Sequence, residues 1–82
     1  MHNGKELLSA IDKLHTTGMG AARIRKNLGM DAEDVVEYCR SLTLEPGAEL
    51  SRKGKNWYVS VEGVVITVNA YSCTIITAHK VK

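Results

Sequence analysis

The chain has 82 residues, 44% of them hydrophobic and 24% charged, with a formal net charge of +2. That length allows one domain, and the composition excludes a disordered chain. No apolar run approaches the roughly 18–20 residues of a membrane span, and Met1-His2-Asn3-Gly4-Lys5-Glu6 lacks the basic-then-apolar pattern of a signal peptide, so a cytoplasmic (cytosolic) protein with no membrane partner is expected.

In chain order, the first predicted helix runs from about Lys5 to His15. Asn3 and Glu6 have capping-box spacing, and Leu7, Leu8, Ile11 and Leu14 form one apolar stripe. Thr16-Thr17-Gly18 ends it, with Gly18 suited to a left-handed cap. A short second helix covers about Gly20 to Leu28, turning Ala21, Ile24 and Leu28 inward, and Gly29 stops it before Met30. The third begins after Asp31 as N-cap, with Glu33 and Asp34 against the positive helix end and Val35, Cys39 and Leu42 as its inner stripe. Pro46-Gly47 then separates the two halves.

The remainder is rich in Val, Ile and Thr and predicts strands at 48–53, Asn56–Val61, Val64–Ala70 and Thr74–Val81. Two-residue turns at Gly54-Lys55 and Glu62-Gly63 pair Val61 with Val64, Val59 with Ile66 and Trp57 with Val68. Those six side chains make one apolar face that the helices must cover. The expected fold is α+β: two to three N-terminal helices (residues 1–45) on one face of a three- to four-stranded antiparallel meander (48–82), together a single domain over 1–82.

The last strand has two candidate registers. A two-residue turn at Tyr71-Ser72 points Thr74, Ile76 and Ala78 outward, whereas a three-residue loop, Tyr71-Ser72-Cys73, buries Ile76 and Ala78 and exposes Thr77 and His79. The second is preferred because it buries Ile76 and exposes His79.

Charge is divided between the halves. Residues 1–46 carry six Lys/Arg against seven Asp/Glu, a net −1, and residues 47–82 carry five against two, a net +3. An anionic partner is therefore expected at the sheet half. Its outer face collects Ser51, Lys53, Asn56, Tyr58, Thr67, Asn69, Thr77 and His79, with Arg52, Lys55 and Lys80 at the rim. Cations for phosphate, hydroxyls and amides for hydrogen bonds, and an aromatic ring for a base suit RNA or a nucleotide, and a histidine can move protons near neutral pH. A solvated sheet face has much the same composition. The turn Arg52-Lys53-Gly54-Lys55-Asn56-Trp57 places cations beside an aromatic ring, which serves nucleic-acid binding or blocks edge-to-edge pairing, with Trp57 itself expected in the core.

Other chemistry is less well served. Ile24 to Val35 has helix-turn-helix spacing, but Arg25 stands where that motif needs a small buried residue. The would-be recognition helix carries Asp31, Glu33, Asp34 and Glu37 against one Arg40. Gly18-Met19-Gly20 lacks the remaining residues of a phosphate loop, and the three histidines form no triad. No metal motif is present and no cofactor is expected. Cys39 and Cys73 read as buried thiols.

Leu14-His15-Thr16-Thr17, Arg23-Ile24-Arg25-Lys26-Asn27-Leu28, Asp34-Val35-Val36-Glu37-Tyr38-Cys39, Arg52-Lys53-Gly54-Lys55-Asn56-Trp57-Tyr58, Ile66-Thr67-Val68-Asn69-Ala70-Tyr71 and Thr74-Ile75-Ile76-Thr77-Ala78-His79-Lys80 together resemble a family of small bacterial proteins of unknown function. Helices followed by a meander that ends in Thr-Ala-His also look like the barnase/RelE-type ribonuclease toxins over the C-terminal third. That likeness implies metal-independent RNA cleavage, with Arg52 stabilising the phosphate and His79, Tyr58 and Thr77 as the groups able to take catalytic parts. The expectation is thus an RNA- or nucleotide-binding module, with ribonuclease-like toxin activity implied by the resemblance. The alternative is a non-catalytic protein-binding module or inhibitor from a mobile element, of anti-defence type. Neither reading decides whether the chain is an enzyme, and a homodimer is compatible with both.

Overall fold

A computed structural model describes residues 4–29 and 34–81, with side chains of the first segment from Leu7 onward. Its elements in order are α1 (Gly4–Ser9), a 3-10 turn (Ile11–Lys13), α2 (Gly18–Leu28), α3 (Val35–Thr43), β1 (Glu49–Lys53), β2 (Asn56–Val61), β3 (Val64–Asn69) and β4 (Ile75–Lys80). The strands form one antiparallel sheet in the order β1-β2-β3-β4. This is the α+β arrangement expected from the sequence.

The first predicted helix divides in two. α1 ends at Ser9, the 3-10 turn comes next, and Leu14 is already extended at ψ 134°. Leu7 and Leu14 are buried while Leu8 is exposed, so the continuous stripe is interrupted. The cause is the neighbouring His15. It is needed in extended form beside β4, where its N–H donates to Cys73 O and its carbonyl accepts from Ile75 N at 2.7 Å. Gly18 is not a C-cap. Thr17 is instead the N-cap of α2, its hydroxyl accepting from Gly20 N at 3.0 Å, and Gly18 is the first helical residue. Gly29 ends α2 in the left-handed region at φ 63°. Helix α3 is capped by Asp34, which accepts from Glu37 N at 2.9 Å. The expected cap Asp31 lies outside the described residues, as do Asn3, Met30 and Glu33.

The core joins Leu7, Leu14, Ile24, Leu28, Val35, Cys39 and Leu42 from the helical half to Trp57, Val59, Val61, Val64, Ile66 and Val68 from the sheet. All six sheet residues are those that the turn register singled out, and their pairings are as expected. α2 runs along β4, α3 touches β2 and α1 reaches β1. Arg40 ties α3 to the 3-10 turn, its Nε donating to Ile11 O at 3.2 Å, while its NH1 pairs with Glu37 within α3.

β4 uses both candidate registers. Asn69 N donates to Thr74 O, and Val68 faces Ile75, as a two-residue turn would require. Beyond Thr67 the register shifts, and Thr67 faces Thr77, Ile66 faces Ala78 and Val65 faces His79, as the three-residue loop would require. Ile76 is the extra residue of a β-bulge. Ile75 is therefore the buried isoleucine, 1% exposed, and Ile76 is turned out at 39%. The expected burial of Ile76 is corrected, while Thr77 and His79 do reach the outer face.

The free edge of β4 is covered at its start. Besides the His15 bridge, Thr16 Oγ1 donates to Ile75 O at 2.9 Å, and Gly20 brings the α2 backbone close to the same carbonyl. A Cβ at Gly20 would overlap Thr16 Oγ1 and crowd Thr17 Oγ1 at 3.2 Å.

Two stability measurements check this architecture by urea unfolding. Ile75→Ala should cost about 3 kcal/mol and Ile76→Ala less than about 1 kcal/mol, because only the former opens a core cavity. Gly20→Ala should destabilise, against the gain of up to about 1 kcal/mol that alanine brings to a helix interior, because it displaces the Thr16 hydroxyl from Ile75 O.

Candidate functional site

The outer sheet face is built by strand alternation. β1 contributes Glu49, Ser51 and Lys53, β2 Asn56, Tyr58 and Ser60, β3 Val65, Thr67 and Asn69, and β4 Thr77 and His79. These side chains lie in rows across the strands. The central row is Ser51, Tyr58, Thr67 and Thr77; the next toward the β2–β3 turn is Glu49, Ser60, Val65 and His79. Tyr58 and His79 are two strand spacings and one same-face step apart, roughly 12 Å between Cα positions. Thr67, at the centre of the face, is only 8% exposed.

At the β1 end of the central row the face sinks into a shallow, open depression of about 500 Å³ lined by Ser51, Lys53, Gly54 and Tyr58. Its lining residues carry a hydroxyl, an ammonium group and a phenol ring. At the β4 end, α2 reaches the row through one side chain. Asn27 Nδ2 donates to Thr77 Oγ1 at 3.2 Å, so the helix contributes an amide that strand alternation alone does not reveal. The signal was present in the spacing: Gly20, Arg23 and Asn27 form a stripe beside the apolar stripe Ala21, Ile24 and Leu28. The glycine gives the close approach and the asparagine makes the contact.

The expected rim is rearranged. Arg52 faces Trp57 and Lys80 faces Val64, both on the helix side of the sheet, so neither cation joins the outer face. The Arg52 guanidinium carbon lies 5.6 Å from the Trp57 ring centre and 5.5 Å from that of Tyr71, and its Nε donates to Gly54 O at 2.9 Å. Trp57 is buried, as expected. Asn69 serves the adjoining β3–β4 loop: its Oδ1 accepts from Tyr71 N at 2.9 Å, Ser72 N at 3.0 Å and Ser72 Oγ at 3.1 Å. Ser72 Oγ in turn meets Thr74 Oγ1 at 2.8 Å, which meets His15 Nε2 at 3.0 Å, and His15 Nδ1 donates to Lys13 O at 3.0 Å. Lys53 stays on the outer face, Lys55 is exposed in the turn, and Asn56 is half-buried. The outer face is thus polar with one flanking carboxylate and few cations, less basic than the charge of the half-chain implied.

Among the described residues no group of three or more His, Cys, Asp or Glu is placed to hold a metal ion. Nor is any helix among them long and apolar enough to cross a membrane. Neither cysteine is among the outer-face residues. Cys39 is buried in α3, and burial pushes its thiol from 9.0 up to about 11. Cys73 is half-buried in the β3–β4 loop at φ 59°.

The fold and the rows define a small α+β domain whose helices cover one sheet face and leave the other open. A family model described as "Protein of unknown function (DUF3781)" matches residues 8–79, and the chain belongs to that family. No curated protein and no solved structure matches, so the likeness to the ribonuclease toxins finds no support there.

The cysteines allow a direct check of the packing. At pH 8 in the native state, a thiol reagent should modify Cys73 readily and leave Cys39 intact, with both reacting in denaturant. Above about pH 9 the unfolded chain releases the Cys39 proton before the folded one does, so this group's contribution to stability declines as pH rises toward 11.

Proposed function

We propose that the outer sheet face binds RNA or a nucleotide, with the depression at Tyr58 as the principal contact. The observation that carries this reading is the convergence of Ser51, Lys53, Gly54 and Tyr58 around one open concavity. Tyr58 offers a ring to a base, Lys53 a charge to a phosphate, and Ser51 a hydroxyl to sugar or base. From there the central row leads across Thr67 to Thr77, which Asn27 holds, and His79 lies one step further along β4. A ligand lying along the row therefore has a proton-carrying side chain near each end, Tyr58 at one and His79 at the other.

Cleavage is the further chemistry this layout serves. With the phosphodiester over Thr67 and Thr77, His79 would take the proton of the 2′-hydroxyl as that oxygen attacks phosphorus, and Tyr58 would give its proton to the departing 5′-oxygen. The products would be a 2′,3′-cyclic phosphate and a free 5′-hydroxyl, and no metal takes part in this scheme.

Binding should be salt-sensitive because Lys53 and Lys55 neutralise phosphate, with affinity for single-stranded RNA falling as salt rises. Tyr58→Ala should weaken binding about tenfold, the loss of roughly one stacked base, measured by fluorescence anisotropy. His79→Ala should leave binding nearly intact and abolish any cleavage seen on a gel. Absence of salt-dependent binding by the wild-type protein would remove this reading, and cleavage unchanged by His79→Ala would remove the role of that residue. The competing reading, addition of a partner's strand to the sheet, is favoured by β1 being a terminal strand whereas His15 already occupies the edge of β4. A stoichiometric protein partner captured without any RNA binding would select it.

A further inference from the structure

The end of the sheet beside the depression carries a second aromatic ring, outside the Tyr58 contact. Tyr71 is 75% exposed, although large aromatic side chains normally bury much of their surface. Its position is nonetheless held. Its backbone N–H is fixed by Asn69 Oδ1, the N–H of Ser72 is fixed by the same atom, and Ala70 N donates to Lys55 O at 2.8 Å, which ties the loop to the hairpin tip. The ring lies against Arg52, whose guanidinium also stands over the buried Trp57. Trp57, Arg52 and Tyr71 therefore form a stack that begins in the core and ends in solvent.

We infer that Tyr71 is a second base-stacking platform, and that the ligand is single-stranded RNA long enough to pass from Tyr58 across the Lys53-Gly54-Lys55 tip to Tyr71. This rests on the RNA reading of the outer face and sharpens it, because a mononucleotide could not reach both rings. Lys53 belongs to the outer face and Arg52 to the helix side, so the tip presents charge between the two rings. Alternating rings and cations are what a strand of bases joined by phosphates requires, without demanding a particular sequence. Arg52 contributes by orienting the ring: a tyrosine anchored on a fixed guanidinium has less motion to lose when a base stacks on it. The site size implied is at least about four nucleotides, the lower end for small single-strand-binding modules.

The test uses the whole protein and a fluorescein-labelled oligouridylate of about twelve nucleotides, in a salt series. Tyr71→Ala should weaken binding between about 5-fold and 150-fold, the range expected for one lost stacking contact, with the salt slope unchanged. Tyr71→Phe should bind as the wild type does. Lys55→Ala should instead lower the salt slope, since it removes an ionic contact. Thermal unfolding should show both Tyr71 variants folded, as expected for an exposed loop side chain. Wild-type affinity in Tyr71→Ala, while Tyr58→Ala still weakens binding, overturns the second platform and leaves the Tyr58 contact standing. A Tyr71→Phe defect as large as that of Tyr71→Ala, or a fall in salt slope that accounts for the whole loss, also overturns it, because the hydroxyl or the charge of Arg52 would then be the active feature. No RNA binding by the wild type removes both readings together.

Discussion

Alternation of side chains along a strand is the constraint on which this sheet turns. Ile75 and Ala78 are both buried, yet they are three residues apart, and a regular strand cannot put two residues at an odd spacing on the same face. The bulge at Ile76 resolves the conflict. It lets β4 start in the register set by Asn69 and Thr74 and finish in the register that sets Val65 against His79. Were β4 regular from Ile75 onward, Thr77 and His79 would point into the core, beside Ile66 and Val64. The open face thus has its threonine and histidine because one isoleucine is left out of the ladder.

How much of the fold was legible in the chain depends on how local the determining physics is. The pairing of Trp57, Val59 and Val61 with Val68, Ile66 and Val64 could be read directly, because a two-residue turn at Glu62-Gly63 leaves only one register and alternation does the rest. The division of the first helix was not legible. Leu7, Leu8, Ile11 and Leu14 have helical spacing, and what breaks the helix is a distant demand, the pairing of His15 with a strand some sixty residues away. The β4 ambiguity was visible as two registers. Its solution, the use of both, required knowing that the edge of the strand is held by Thr16 and α2.

The candidate site was legible to a similar depth. The outer rows were placed correctly, including Tyr58, Thr67, Thr77 and His79. The error concerned charge. Counting Lys and Arg over the half-chain took no account of side-chain parity, and Arg52 and Lys80 occupy strand positions whose parity turns them toward the helices. Asn27 was overlooked for the opposite reason: its stripe was there to read, but it belongs to the acidic half of the chain and meets the sheet through the docking of α2. The family match runs from the end of α1 to the penultimate residue of β4, and its description carries no activity.

The seam between His15 and Thr74 also bears on how the chain reaches this state. The hairpins β1–β2 and β2–β3 close through turns of two residues, so their contacts form early and cheaply in conformational entropy. The seam joins residues 59 positions apart, and closing a loop of that length costs about 3.6 kcal/mol by the logarithmic scaling of flexible chains. Little is gained until Thr16, Gly20 and Asn27 dock together along β4. The sheet can therefore assemble from its neighbours in sequence, while the alignment of α2 with the open face waits for the contacts that join His15 and Thr16 to the start of β4.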